Sequence, residues 1–505
     1  MTVPSVFFRD PLLWPMLGAA ALLKVVLVLW LGPIVFPDSS GYTYIAERML
    51  ASGSWLTERG NAVDPNMVFR TIGYPLVIVP VMAVFGSAWA SALAILQGFV
   101  SLAVLVPVLR VTECATNRAW AGRLVLVLYT LSGSLLYDQA ILTDSLNSSI
   151  FIVVVFSIIG WGCGLWRLGL WRMLGLGAVY GLGIWMREPG LYLAVIPLGL
   201  VLVAALRRQA IFSENALRLG FGRAIVFIAA ISVLSGSYMA WNHYRLDDAF
   251  IGGTGHINWL QAPVYGYIRG YGDPFTGDDA IDTAVRETTG DRFAGMHQLH
   301  AVFAVLDTLR TRDNLNDREL NRLAKEKWRQ TLTQHPLLML RNMLRNLAPE
   351  KMAFLITHPL FNVNEFVQLG PGQGERLIGG SSRQIEDLRT NFSIGGALVL
   401  ASDMGLRAIS LLLFVVFIVG PPIWFLRKAK AGHLWSEPSL IAIQCWAGYI
   451  IFALAYALVY TELRYFTPIV PMAQVALIAS LTAITNAWQQ RQSSSPDRNA
   501  DATSS

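Results

Sequence analysis

Cysteine, histidine and charge are all scarce in this chain. Three cysteines in 505 residues (Cys114, Cys163, Cys445) lie far apart, in or beside apolar segments, which excludes a disulfide framework and a cysteine metal knot. The histidines form no ligand motif. His243 and His256 are single loop residues, and His297 with His300 is only an i, i+3 pair. Phosphate-loop, zinc-site and nucleophile-elbow signatures are absent. No internal repeat stands out, which speaks against the paired halves of many transporters. Charged residues make up 14% of the chain against 54% hydrophobic, more apolar sequence than a soluble core needs.

What is present in abundance is long apolar runs. A membrane span needs about 20 such residues to match about 30 Å of hydrocarbon. Leu12–Phe36 qualifies, and it lacks a charged start and a small-residue cleavage site, so it reads as a retained helix rather than a signal peptide. Lys24 near its middle is costly unless it packs inside the bundle. Further spans are expected at Trp89–Leu109, Trp120–Leu136, Ser145–Leu165, Met173–Met186, Leu191–Leu206, Ala224–Trp241, Leu406–Phe425, Leu440–Tyr460 and Phe466–Ala487. Ile72–Phe85, with Gly73 and Pro75, is too short to cross and reads as interfacial. The net charge of +6 sits in short loops and adjoining helix ends (Arg110, Arg118 and Arg123; Arg167 and Arg172; Arg207, Arg208, Arg218 and Arg223; Arg427, Lys428 and Lys430), a positive-inside pattern rather than a nucleic-acid surface.

These spans predict an all-α polytopic membrane protein of about ten helices, with both termini in the cytoplasm. Residues 1–241 form the first transmembrane module, with an outer loop over 37–88. Residues 242–400 form a mixed extracytoplasmic loop region, turn-rich at first and helical from about Phe293 to Glu350. Residues 401–487 complete the spans, and 488–505 read as a disordered tail. Within the loop region Pro336 kinks or restarts a helix. The amphipathic stretch after it can lie on the bilayer or pack on the loop region.

Charges gather where spans meet the outer side. Asp38 follows the first span, and Tyr42, Ile45 and Met49 then recur at helical spacing. Arg70 precedes the interfacial run, and Asp138 and Asp144 bracket YDQAILTDS. Arg187 and Glu188 follow Met186, His243 and Arg245 follow Trp241, and Glu462 and Arg464 lie in TELRYFTPIVP. Ionisable groups at this depth mark function by default, although helix-end arginines also snorkel and Asp38 or Asp144 can cap a helix. Converging arginines suit a phosphate or diphosphate.

The segments PDSSGYTYIAERMLASGSW and FRTIGYPLVIVPVMAVFG resemble the first outer loop of the GT-C membrane glycosyltransferases. They are most similar to the branch of protein O-mannosyltransferases and the lipid A aminoarabinose transferase. LLYDQAILTDSL, WMREPGLYL, WNHYRLDDAFIGGTGHIN, HPLLMLRN and RYFTPIVP extend the resemblance in order along the chain. It implies a GT-C-like bundle in a bacterial inner membrane, with its active site facing the periplasm. There a sugar would pass, with inversion, from a polyprenyl-phosphate donor to a cell-envelope acceptor: glycolipid, polysaccharide or protein.

By this resemblance Asp38 is the general base or acceptor-positioning group, and Asp144 is the second acidic position. Arg70, Arg187, His243, Arg245 and Arg464 would bind the donor phosphate, and Tyr42, Tyr74 and Glu188 would position substrate. A buried carboxylate at Asp38 is expected to have a modestly raised pKa. The chain departs from the family patterns in following Asp38 with Ser39 and preceding Arg70 with Phe69. No metal ligands are therefore assigned, and a divalent metal stays open. Two other functions fit the outer loops: a lipid-linked saccharide flippase without transferase chemistry, and a ligase or polymerase.

Overall fold

The first apolar run forms helix α1 (Leu13–Leu31), which stops at Gly32, where a φ of 76° suits a residue without Cβ. The computed structural model describes residues 10–60, 63–64, 66–212, 216–289, 298–348, 352, 389–390, 392–433, 435–459 and 463–493. Glu462, His297 and most of the tail from Gln489 lie outside them. The described residues are helical, with one isolated parallel bridge between Ile34 and Ala140. Among the described residues eight helices are long and apolar enough to cross a membrane, and the architecture is that of an all-α, multi-pass membrane protein.

Two of the ten expected spans form shorter helices, Ala119–Thr130 and Leu170–Met186. The stretch expected at Ile72–Phe85 is a 13-residue helix, about 20 Å long by its rise, and cannot cross alone. It runs into the next helix through a break at Gly86 (φ 52°), and the two sit within one apolar stretch, Gly73–Thr116.

Lys24 is buried in the bundle and forms an ion pair with Asp138, which also accepts hydrogen bonds from Ser101 and Ser145. Gly98 leaves room for it, since a Cβ there would stand 3.3 Å from Lys24 Cδ. Asp138, expected at the outer boundary, is thus an interior partner. Just beyond it the bridge closes: the Ile34 N–H donates to the Gln139 carbonyl and the Ile141 N–H to the Ile34 carbonyl, each at 2.9 Å. This tether holds the start of the Asp38 helix beside the turn that delivers Asp144.

The Gly- and Pro-rich sequence after Asn242, expected as turns, contains the helix Gly255–Ile268. Its Gly266 serves contact rather than bending, because a Cβ there would lie 2.5 Å from Leu338. Among the described residues four more helices follow: Ala280–Thr289, Gln298–Asp313, Asp317–Gln334 and Pro336–Asn346. Asn316 and Glu319 cap the fourth reciprocally, and Pro336 opens the fifth, where its missing N–H costs nothing. Leu338 and Met339 pack inward, and the Asn346 amide donates to the Ala457 carbonyl at 3.0 Å, fixing the region to the end of the span Glu437–Ala457.

Candidate functional site

Helix α2 (Pro37–Ala51) starts with proline in its first turn, and the Ser39 hydroxyl accepts the Phe36 N–H at 2.9 Å. Asp38 therefore sits at a helix N-terminus, where the backbone dipole favours negative charge. Tyr42, Ile45, Ala46 and Met49 form the buried face, as their spacing predicts. Asp38 is gripped from two sides. Arg70 Nη2 donates to Oδ1 at 2.6 Å, and Arg464 Nη2 donates to Oδ2 at 2.7 Å. Gly41 lets Arg70 lie along the helix, because a Cβ there would meet Arg70 Cγ at 3.3 Å. Arg464 comes from the short 3-10 helix Leu463–Ile469, ahead of the last span.

Arg187 and Asp144 form a second pair beside the first. Arg187 ends the helix Leu170–Met186, whose last carbonyl accepts from the Thr71 hydroxyl at 2.7 Å. Gly73 fits against the backbone of Trp185 and Met186 with no room for a Cβ. The Tyr465 ring lies under the Arg187 guanidinium, 4.2 Å away, and 5.5 Å from that of Arg464. The guanidiniums of Arg70, Arg187 and Arg464 thus gather around the carboxylates of Asp38 and Asp144. The Arg70 Nε–H is buried here without a hydrogen-bond partner.

Burial pushes the Asp38 carboxyl upward, but the Arg70 and Arg464 charges outweigh it and its pKa lies below the ordinary value. The expected rise is therefore overturned. Arg187 moves the other way: burial lowers it, Asp144 more than compensates, and it stays charged. The Tyr42 phenol, buried under the cluster, is raised by burial.

The structure does not bring every expected residue into this cluster. His243 is exposed. Arg245 is 2% exposed, donates to the Glu58 carbonyl at 3.4 Å and stacks over Trp241 at 4.2 Å. Tyr74 is fully buried and donates its hydroxyl to Gln97 at 2.8 Å, with its ring edge-on to Tyr42 at 5.3 Å. It supports the floor beneath Tyr42 from inside the bundle. Glu188 faces Asn258, and burial pushes its carboxyl up to about 7, against the pull of that amide. Tyr465 was missed, although it stands next to Arg464 in the motif; an aromatic beside a helix-end arginine was the available signal. Among the described residues no three potential metal ligands converge. An open groove of about 660 Å³ runs along α2, past Ser40, Thr43, Tyr44, Glu47, Phe69 and Trp89.

No protein-family model matches the chain, and no curated protein sequence matches it. Among solved structures it is similar to the Archaeoglobus fulgidus oligosaccharyltransferase tethered to an acceptor peptide with the NVT sequon (12% identity, TM-score 0.45, 97% of this chain and 52% of that one). The archaeal oligosaccharyltransferase AglB, in complex with an inhibitory peptide and a dolichol-phosphate, gives 12%, 0.45, 97% and 53%. ArnT from Cupriavidus metallidurans, bound to undecaprenyl phosphate, gives 13%, 0.33, 94% and 78%. The chain spans about half the length of the oligosaccharyltransferases.

Proposed function

We propose that this protein is a GT-C-type glycosyltransferase that moves a sugar, with inversion, from a polyprenyl-phosphate donor to a cell-envelope acceptor. The reaction would take place on the outer side of a bacterial inner membrane. One observation carries the reading: Asp38 is held between Arg70 and Arg464, with Arg187 alongside, at the N-terminus of the helix that follows the first apolar span.

The chemistry asks for little else. A polyprenyl-phosphate sugar brings its own leaving group, so the protein needs fixed positive charge where the phosphate accumulates charge. Guanidinium groups supply it through paired hydrogen bonds, and carboxylates keep them oriented before the donor arrives. Asp38 and Asp144 fit that ordering role. In this reading residues 1–241 and 401–487 form the membrane-embedded body, residues 242–400 cover its outer face, and the groove along α2 offers space for an amphiphile.

The test is mass spectrometry of cell-envelope glycans from cells with and without the protein. A hexose, pentose or amino sugar lost on deletion, and restored by the wild-type chain but not by Asp38→Asn, is the expected result. Identical glycans in both strains overturn the proposal.

A further inference from the structure

The helix Pro336–Asn346 carries two apolar faces, and only one of them is packed on the protein. Leu338 and Met339 sit with Ala262 against Tyr271 and Trp328, and Asn342 and Asn346 are buried on the same side. At about 100° per residue, Leu337, Leu340 and Leu344 fall within an arc of about 60° on the opposite side. They are 68%, 45% and 58% exposed, and Arg341 and Arg345 lie exposed along one edge of that arc. A helix on a water-facing surface turns polar residues outward, so this stripe calls for apolar surroundings of its own.

The place of this helix in the fold identifies those surroundings. The Asn346 amide donates to the Ala457 carbonyl at 3.0 Å and the Trp328 indole to the Leu458 carbonyl at 3.3 Å, so the helix is held at the end of the span Glu437–Ala457. That span presents Ile451, Leu454 and Leu458 outward at helical spacing, 44%, 39% and 37% exposed, up to the carbonyls that the helix region binds. Trp328 lies edge-on to Trp259 at 5.2 Å beside the same span end, and tryptophan concentrates at bilayer boundaries. We propose that Pro336–Asn346 is an interfacial anchor. Leu337, Leu340 and Leu344 enter the acyl region of a phospholipid leaflet, and Arg341 and Arg345 reach its phosphates. The occupant is lipid rather than a second protein because the stripe adjoins the end of the span's own lipid-facing stripe. Arginine at the edge of a leucine face also matches a phosphate layer bordering hydrocarbon. The anchor steadies the stem of the segment from which Arg464 reaches Asp38, whatever reaction the cluster serves.

Nitroxide labels on the full chain, in nanodiscs of phosphatidylethanolamine and phosphatidylglycerol, test this. Leu337→Cys, Leu340→Cys and Leu344→Cys are labelled one at a time, with Arg329→Cys as the control at an exposed site on the preceding helix. The chain without an introduced cysteine gives the background from Cys114, Cys163 and Cys445. Oxygen concentrates in lipid and a nickel chelate in water, so the ratio of their collision rates reads depth. That ratio should be several-fold higher at the three leucine sites than at Arg329, with Arg341→Cys between. Melts that match wild type show that each variant folds, and each site reads alone. A leucine-site ratio equal to the control places the stripe in water and overturns the proposal. Labels screened from both reagents place it against protein, a second copy or another chain, and overturn it as well. Combining Leu337→Gln, Leu340→Gln and Leu344→Gln should speed hydrogen exchange through Pro336–Asn346 several-fold while the core helix Asp144–Gly162 keeps its protection. Unchanged exchange would show that the stripe anchors nothing. No readout uses sugar transfer, so failure of the anchor and failure of the glycosyltransferase reading are told apart.

Discussion

Asp38 and Arg464 lie 426 positions apart in the sequence and meet at 2.7 Å. The pair joins the start of the first extramembrane helix to the turn before the last span, so the cluster forms only when the whole bundle has closed. The Asp38–Arg70 and Asp38–Arg464 pairs are partly exposed, and pairs of that kind contribute about 0–1 kcal/mol each. Asp38→Asn should therefore insert and melt within a few degrees of wild type while transfer falls about 100-fold. The pH dependence has a defined sign. A carboxyl lowered in the fold stabilises above its unfolded value of 3.8 and loses that contribution as pH falls through the folded value, so the variant should differ in stability only above strong acid. Thermal melts and transfer assays across pH check both parts.

Arg70 presents one donor to Asp38 and keeps a buried Nε–H without a partner. Hydrogen bonds to charged groups contribute about 1.5–3 kcal/mol, so Arg70→Ala should weaken undecaprenyl-phosphate binding by about 10- to 100-fold. Arg70→Lys should recover little of it, since a single ammonium cannot reproduce the planar fork. Titration of the lipid into nanodiscs reads the difference. Equal affinity in wild type and Arg70→Ala would remove Arg70 from the phosphate site.

The first apolar helix and the buried face of α2 were legible because both follow local rules, apolar length and helical spacing. Tyr42, Ile45 and Met49 fall on one face as their spacing requires. What local pattern could not give is partnership. Lys24 read as a packing residue and Asp138 as an outer charge, and only the fold pairs them. Arg245 and Arg187 looked alike as arginines after apolar helices. One stacks on Trp241 away from the cluster, and the other enters it. The glycines after Asn242 read as turns because sequence alone does not separate a glycine needed for bending from one needed for contact, as at Gly266.

The Lys24–Asp138 pair sits in the apolar body, where removing one partner strands the other charge. Such single losses cost about 3–5 kcal/mol, whereas replacing both with apolar residues is often nearly neutral. Lys24→Met alone should lower yield and melting temperature sharply. Lys24→Met with Asp138→Leu should recover much of the loss, less the hydrogen bonds from Ser101 and Ser145. Size-exclusion thermal melts in detergent distinguish this from a surface pair, for which both variants would match wild type.

His256 is buried, and burial lowers its pKa to about 4; Asp317 pulls it up and Arg310 down. Arg310 approaches Nε2 at 3.3 Å, where a neutral ring accepts. Because the unfolded ring titrates near 6.5, the unfolded chain binds the extra proton first, and stability should fall between about 6.5 and about 4. Hydrogen exchange across Gly255–Ile268 should accelerate over that window in wild type. In His256→Gln the acceleration should be smaller. An unchanged pH response in the variant would assign the loss to other groups.

Sidedness is the remaining expectation, and the fold sharpens it. Asn346 bonds to the end of the span Glu437–Ala457, and Arg464 follows that span shortly afterwards, so the loop region and the Asp38 cluster share one side. Basic residues between spans contact one another's neighbourhoods elsewhere: Arg223 donates to the Leu168 carbonyl at 2.6 Å, and Arg207 bonds the Gly162 carbonyl. By the positive-inside rule the basic loops are expected on the cytoplasmic side and the Asp38 cluster on the other. A reporter fused near Thr116 should then read cytoplasmic and one near Gly277 external. The reverse result would place Asp38 in the cytosol, beyond reach of an externally presented donor, and would remove the proposed reaction.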